Sequence, residues 1–504
     1  MSGRDDPRAE DVREVGAQPP GAESAGAKPY RGKSMGKQPA ARSAGRQPAG
    51  AQPAGAKPDR GKPAFRRPDP ARQVAYDVLA AVRTRQSYAN LVMPALLRER
   101  RIDTRDGAFA TELAYGALRG QGLYDAVLQA CVDRPLSDVD PPVLDVLRLG
   151  AHQLLRMRTP PHAAVSSTVD LARRVGSAGP AAFVNAVLRK VSAHDVAGWL
   201  EIIGPADDLA RTALETSHPQ WIASAFRDAL GGDLAETRAA LLADDARPGV
   251  HLVARRMSRD ELLADSGGEV GLWSRLAVRM TQGGDPGALG AVRDGSAGVQ
   301  DEGSQLMALA LAAAPIEGRD DMWVDMCAGP GGKAAILQVI ADGRGARLVA
   351  VDSQHHRSRL VRQSGVREVV TADARAVPLA AGSADRVLLD APCSGLGALR
   401  RRPDARWRRT PQDLPGLTRL QGELLDAAVR LLRPGGVLAY VTCSPHLAET
   451  VVPVHDVLRR HPQLTRLDAR PLLPDMPLLG DGPTVQLWPH RHGTDAMHLA
   501  LLRA

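Results

Sequence analysis

Two cysteines suggest the chemistry of this chain most sharply. Cys393 lies in Asp390-Ala391-Pro392-Cys393-Ser394-Gly395, and Cys443 in Tyr440-Val441-Thr442-Cys443-Ser444-Pro445. A free cysteine is usually a small buried hydrophobe, and either one alone would be read that way. Two of them, each placed where an apolar run ends, ask for another account. A disulfide between them is disfavoured in a reducing compartment. Thiolates are nucleophiles, and carbon 6 of cytosine is an acceptor that needs one. Addition there makes carbon 5 an enamine carbon able to take a methyl group from S-adenosylmethionine. An acid that hydrogen-bonds or protonates N3 of the ring assists, and Asp390 is the candidate.

Such a reaction needs a cradle for a nucleotide-like cofactor. The stretch Asp325-Met326-Cys327-Ala328-Gly329-Pro330-Gly331-Gly332-Lys333 follows the apolar run Met322 to Met326 and precedes a helical run, Ala334 to Ile340. Strand, glycine turn and helix present backbone N–H groups and a positive helix end to a ligand. A Walker P-loop is excluded, because its first glycine and its Ser/Thr positions hold Cys327 and Ala334. A dinucleotide fingerprint fits only loosely.

These groups must be positioned by a sheet. Candidate strands are 322–326, 347–351, 366–371, 386–390 and 436–442, with a final pair at 484–488 and 497–502. Helices fall between the first five, which predicts an α/β, doubly wound, Rossmann-like and mainly parallel sheet with ligands at the strands' carboxyl ends. Asp352 ends the second strand, where an acid can bind ribose hydroxyls. Asp373 follows the third, as a contact near an adenine amine. Asp390 ends the fourth and Cys443 the fifth.

The first 300 residues read differently. Residues 1–68 are rich in Gly, Ala, Pro, Gln, Lys and Arg, with GAQP and GAKP each recurring. This composition predicts a disordered basic tail. Residues 15–68 hold eleven Lys/Arg and two Asp/Glu, so the chain's formal charge of +8 reports the tail. The tail suits either phosphate tethering or mere solubility. From 69 to 200 apolar stripes recur at helical spacing, including Val74, Val78 and Val82. Breaks at Pro135, Pro141, Pro160 and Pro180 divide an all-α bundle, with Pro180 expected to open a helix. Asn185 is a polar residue beside one stripe and reads as structural. Residues 201–300 read as a small α/β connector, with Ser217 as a helix N-cap, His218 structural, a strand at 251–254 and a helix from Ser258. The catalytic domain is then 301–504. No run of 18 apolar residues and no apolar leader core occurs, so a cytoplasmic, non-membrane protein is expected. Four scattered cysteines predict no metal site.

Six arginines crowd the segment after Cys393: Arg400, Arg401, Arg402, Arg406, Arg408 and Arg409. A charge run is usually a solvated face. Because this one adjoins the proposed site of a body near zero net charge, Arg401, Arg402 and Arg406 are expected to bind RNA phosphates, with Trp407 available to stack or pack.

The set Cys-Ala-Gly-Pro-Gly-Gly-Lys, Asp-Ala-Pro-Cys-Ser-Gly and Tyr-Val-Thr-Cys-Ser resembles the RNA cytosine-C5 methyltransferases of the Sun (RsmB, Fmu) type. Gln300-Asp301-Glu302-Gly303-Ser304-Gln305 and Arg402-Pro403-Asp404-Ala405-Arg406-Trp407 extend the likeness. The helical segment, with Phe183 to Arg189, resembles their NusB-type RNA-binding domain. The resemblance implies Cys443 as nucleophile and Cys393 as the group that assists release. It implies an S-adenosylmethionine site of Cys327, Ala328, Gly329, Pro330, Gly331, Gly332, Lys333, Asp352, Asp373 and Asp390, with Lys333 also facing the reaction centre. The implied substrate is a cytosine of 16S ribosomal RNA before full subunit assembly. The chain departs from the family where Gly329 replaces a usual alanine and where Ala496, Met497 and His498 replace a glycine and aromatic pair. Two other classes remain open: an NAD-dependent oxidoreductase, which leaves both cysteines unexplained, and a non-enzymatic RNA-binding or antitermination factor.

Overall fold

Proline and apolar spacing divide residues 69–245 into helices. The computed structural model describes residues 69–504 apart from 176–177, 282–283 and 474; the expectation for residues 1–68 lies outside them. Helices Pro70–Arg85, Ala89–Glu99, Thr104–Arg119, Gln121–Cys131, Pro141–Leu155, Pro161–Val175 and Ala178–Val191 enclose one apolar core. Pro141 and Pro161 open their helices, where a missing N–H leaves no bond unmade. Pro180 instead falls in the first turn of a helix that begins at Ala178. Val74 and Val78 are fully buried, as is Val184 on a later stripe. Asn185 is half-buried and lines a cleft of about 780 Å³, together with Arg173 and Arg189.

Four more helices, Val196–Ile203, Asp208–Glu215, Gln220–Ala229 and Leu234–Asp245, lead to a small antiparallel sheet. Its strands are β1 (Val250–Ala254), β2 (Glu269–Val270), β3 (Ala277–Met280) and β4 (Ala297–Val299), in the order β2-β3-β1-β4. Only β1 was legible beforehand, because strands of two to four residues carry no readable alternation. The helix after β1, Arg259–Ser266, has Ser258 as N-cap in a capping box with Glu261. Ser217 is not a cap. Its φ is 55°, its side chain is buried, and the following helix starts after Pro219. His218 is wholly enclosed between Thr216 Oγ1 and Asp244 Oδ2, at 3.1 Å each, a structural role.

The larger sheet contains β5 (Met322–Asp325), β6 (Arg347–Asp352), β7 (Glu368–Thr371), β8 (Ala384–Asp390), β9 (Leu432–Thr442), β10 (Thr465–Leu467), β11 (Val485–Gln486) and β12 (His498–Arg503). The order is β10-β12-β9-β8-β5-β6-β7, with β11 also on β12. Strands β5 to β9 pair in parallel, and β12 joins β9 antiparallel. Alternate strand residues enter two cores. Trp323, Leu348, Ala350 and Leu388 enter one, and Val324, Val349, Val351 and Val387 the other. A sheet buried on both faces is the doubly wound arrangement. The chain leaves β5 toward β6 and β7, then returns to place β8 on its other side. The crevice at the carboxyl ends of β5 and β8 is therefore the switch point, where such sheets bind ligands.

Candidate active site

The glycine turn is shaped by contacts that exclude side chains. Gly331 has φ 110°, and a Cβ there would run into Ser364. A Cβ on Gly329 would collide with the Asp352 carboxylate and the Arg357 side chain. Asp352 Oδ2 accepts from the Gly329 amide at 3.0 Å, and Oδ1 from the Gln354 amide at 2.9 Å. It thus ties the end of β6 to the cradle. Helix Gly332–Gly343 follows directly and aims its free N–H groups into the crevice. Asp373 stands exposed on the rim, held by Arg375, whose Nη2 lies 2.6 Å from Oδ2.

Asp325 was not singled out from the sequence. Its carboxylate is buried beneath the turn, and among the described residues neither oxygen has a partner in full hydrogen-bond geometry. Burial, then the nearby Asp390 charge, push it up to about 8 against the pull of Lys333. Its signal was the position itself, the last residue of the first strand. An unpartnered buried acid and a glycine turn packed too tightly for side chains, ahead of a helix N-terminus, fit a charged, nucleotide-like cofactor such as S-adenosylmethionine.

Across the crevice Lys333 Nζ donates to Asp390 Oδ2 at 2.7 Å. Burial alone would lower the ammonium, but the Asp390 charge and hydrogen bond hold it above its ordinary value. Registry explains how the two cysteines meet. Asp390 of β8 faces Val441 of β9, so the residues just beyond both strand ends are neighbours. Cys393 Sγ lies 3.5 Å from Cys443 Sγ. Cys443 is drawn below the usual thiol range by its hydrogen bond with Cys393, aided by Lys333 and Arg402. Cys393 is raised by that same bond, by burial and by the charges of Cys443 and Glu449. Cys327 is raised chiefly by burial and then by Asp325, which leaves it an inert thiol in the cradle.

The arginine run is the main correction. Arg406 is fully enclosed (0% exposed) and reaches the carbonyls of Arg119 and Ser217 at 3.2 and 3.1 Å and Asp245 at 3.2 Å. An enclosed guanidinium so engaged has no face left for a phosphate. Arg400 and Arg401 both grip Asp301 and Asp495, at 2.6 to 3.0 Å. Trp407 does not stand free to stack on a base: its Nε1 donates to Leu118 O at 2.8 Å and its ring closes on Gly122. Arg408 Nη1 reaches Gln86 O at 2.7 Å. The segment is thus a clamp that locks the catalytic domain to the helical one. Arg402 is an exception, exposed above the Tyr88 ring at 5.6 Å and close enough to Cys443 to favour its thiolate. Among the described residues no cluster of His, Cys, Asp and Glu could hold a metal ion, and no helix is long and apolar enough to cross a membrane.

A doubly wound sheet with this cradle at its switch point, preceded by a helical bundle, defines a two-part methyltransferase. Residues 310–503 match the family described as 16S rRNA methyltransferase RsmB/F, and residues 69–193 match the NusB family. A putative methyltransferase of Mycobacterium tuberculosis is 53% identical over 448 residues, covering 87% of this chain and 97% of that protein. The probable ribosomal RNA small subunit methyltransferase B of Bacillus subtilis is 30% identical over 453 residues, covering 86% and 98%. The solved structure of PH0851 has the same fold, with a TM-score of 0.72 at 22% identity over 86% of this chain and 99% of that one. The chain belongs to the RsmB/F family of 16S rRNA methyltransferases, with an N-terminal NusB domain. The cofactor of this family is S-adenosylmethionine.

Proposed function

We propose that the protein methylates carbon 5 of a cytosine in 16S ribosomal RNA, before the subunit is fully assembled, through a covalent adduct of Cys443 with carbon 6. The observation that carries this is the pair of thiols 3.5 Å apart beside the Lys333–Asp390 pair, at the switch point of the sheet. Bound S-adenosylmethionine supplies the methyl group from its sulfonium. Residues 327–333 cradle it, Asp352 faces its ribose, and Asp325 and Asp390 offer carboxylates to its ammonium. Asp373 serves its adenine amine once Arg375 shares the carboxylate.

The Cys443 thiolate forms a bond to carbon 6, and the displaced π pair of the carbon 5–carbon 6 bond makes carbon 5 nucleophilic. Asp390 steadies N3 through the oxygen not held by Lys333, by way of a proton shared between that oxygen and N3. After methyl transfer the carbon 5 proton passes to Cys393, whose own proton goes to solvent once Cys443 no longer carries a charge beside it; the carbon–hydrogen pair re-forms the ring double bond and the carbon 6–sulfur bond breaks, returning the Cys443 thiolate. Cys393, adjacent to the adduct, is assigned to this second half. Residues 69–200 and the exposed Arg402 hold the RNA, the connector 201–300 sets the spacing, and the catalytic domain is 301–504.

Denaturing gel electrophoresis of Cys393→Ala and Cys443→Ala with substrate RNA and S-adenosylmethionine tests the assignment. Cys393→Ala should give a slow, RNase-sensitive band and Cys443→Ala none. The opposite pattern would exchange the roles, and full activity in both variants would sink the mechanism.

A further inference from the structure

Glu449 is a buried carboxylate that the reaction leaves without a task. It is fully enclosed (0% exposed) beside the two cysteine loops. Oε1 accepts from the Ser394 amide at 2.7 Å and from Gln421 Nε2 at 3.2 Å, and Oε2 accepts from the Ser394 hydroxyl. Its own carbonyl accepts from the Tyr440 hydroxyl at 2.8 Å. Ser394 Oγ lies 3.1 Å from Ser444 Oγ. Ser394 follows Cys393 and Ser444 follows Cys443, so one hydrogen-bonded clasp joins both thiol loops with Glu449 as its hub.

A glutamine could make most of these bonds without a buried charge. Burying a carboxylate without a counterion is costly, and among the described residues Glu449 forms no ion pair. The charge itself therefore asks for a reason. The groups around the thiols are distributed unevenly. Lys333 and Arg402 act on Cys443, Asp390 acts on both sulfurs, and Glu449 acts on Cys393, with the buried Tyr440 hydroxyl on the same side.

We infer that Glu449 is the positioning residue that decides which cysteine holds the proton: its charge, set against Ser394, keeps Cys393 a thiol and leaves Cys443 the thiolate. This rests on the cysteine mechanism proposed above and deepens it. One proton is retained by the resting pair, on Cys393, from where it is donated to the Cys443 sulfur. No bond is made or broken in this step. The directions of the two thiols, Cys393 up and Cys443 down, agree with it.

The test is iodoacetamide labelling of the full-length protein without RNA or cofactor, with the Cys393 and Cys443 peptides quantified by mass spectrometry across about pH 6 to 9.5. Iodoacetamide reports the thiolate, because sulfur displaces iodide only after losing its proton. In the wild type Cys443 should label at least about tenfold faster than Cys393 near neutral pH. Glu449→Gln should reduce that preference by about tenfold and bring the Cys393 labelling midpoint to lower pH. Glu449→Asp, which retains the charge, should preserve the preference. A folded Glu449→Gln protein with the wild-type ratio and midpoint would reduce Glu449 to a structural clasp. Faster labelling of Cys393 in the wild type would overturn the inference whether or not any variant folds. Failure to find a Cys443–RNA adduct would instead strike the reaction mechanism and leave the labelling result standing.

Discussion

Replacing Arg406 by glutamine separates an interdomain clamp from an RNA contact. The wild-type guanidinium is sealed from solvent and placed 3.2 Å from Asp245 and 3.6 Å from Asp244. It also satisfies the carbonyls of Arg119 and Ser217, in the helical domain and in the turn before Pro219. Removing one partner of a buried ion pair costs about 3–5 kcal/mol, because the remaining charge loses its compensation. Glutamine can restore one or two of the hydrogen bonds but none of the charge. Arg402→Gln changes an exposed side chain and should alter stability by less than about 0.5 kcal/mol. The assays are thermal unfolding and filter binding of ribosomal RNA at two salt concentrations. Arg406→Gln should melt several degrees lower, while any folded fraction keeps its salt slope. Arg402→Gln should melt like the wild type, bind RNA more weakly, and lose about one from the slope of log K against log salt. Wild-type melting of Arg406→Gln together with weakened RNA binding would refute the clamp and restore the phosphate contact.

Two further perturbations probe the cradle. Because Asp325 is raised to about 8, the folded apoprotein keeps a proton that the unfolded chain has already released. Apoprotein stability should therefore fall as pH rises from about 4 toward 8, and Asp325→Asn should flatten that decline in pH-dependent melting. Cofactor affinity should strengthen through the same upper range as the carboxylate forms, and calorimetry should show this rise lost in Asp325→Asn. Gly331→Ala places a Cβ at φ 110° against Ser364, so cofactor binding should weaken by about 5- to 150-fold, a cost of roughly 1–3 kcal/mol. Unchanged calorimetric affinity in the folded variant would count against the proposed cradle.

The sequence by itself determined what depends on near neighbours along the chain. Apolar runs of four to seven residues separated by helical stripes were enough to find β5 to β9, since strands buried on both faces read as unbroken hydrophobic segments. The sheet's handed, parallel winding then implied that Asp352, Asp390, Cys393 and Cys443, all at or just past strand ends, would gather at one edge. Strand β10 escaped because three largely exposed residues, Thr465–Leu467, carry no alternation. The tertiary structure alone decided how charges are partnered. Arg400 meets Asp495 across 95 positions and Asp301 across 99, and Arg406 meets Arg119 across 287. No local pattern distinguishes such buried arginines from a solvated charge run. Glu449 was silent for the same reason. Its effect on Cys393 comes from enclosure away from solvent with no ion pair among the described residues, and burial of that kind exists only once distant segments have closed over the site.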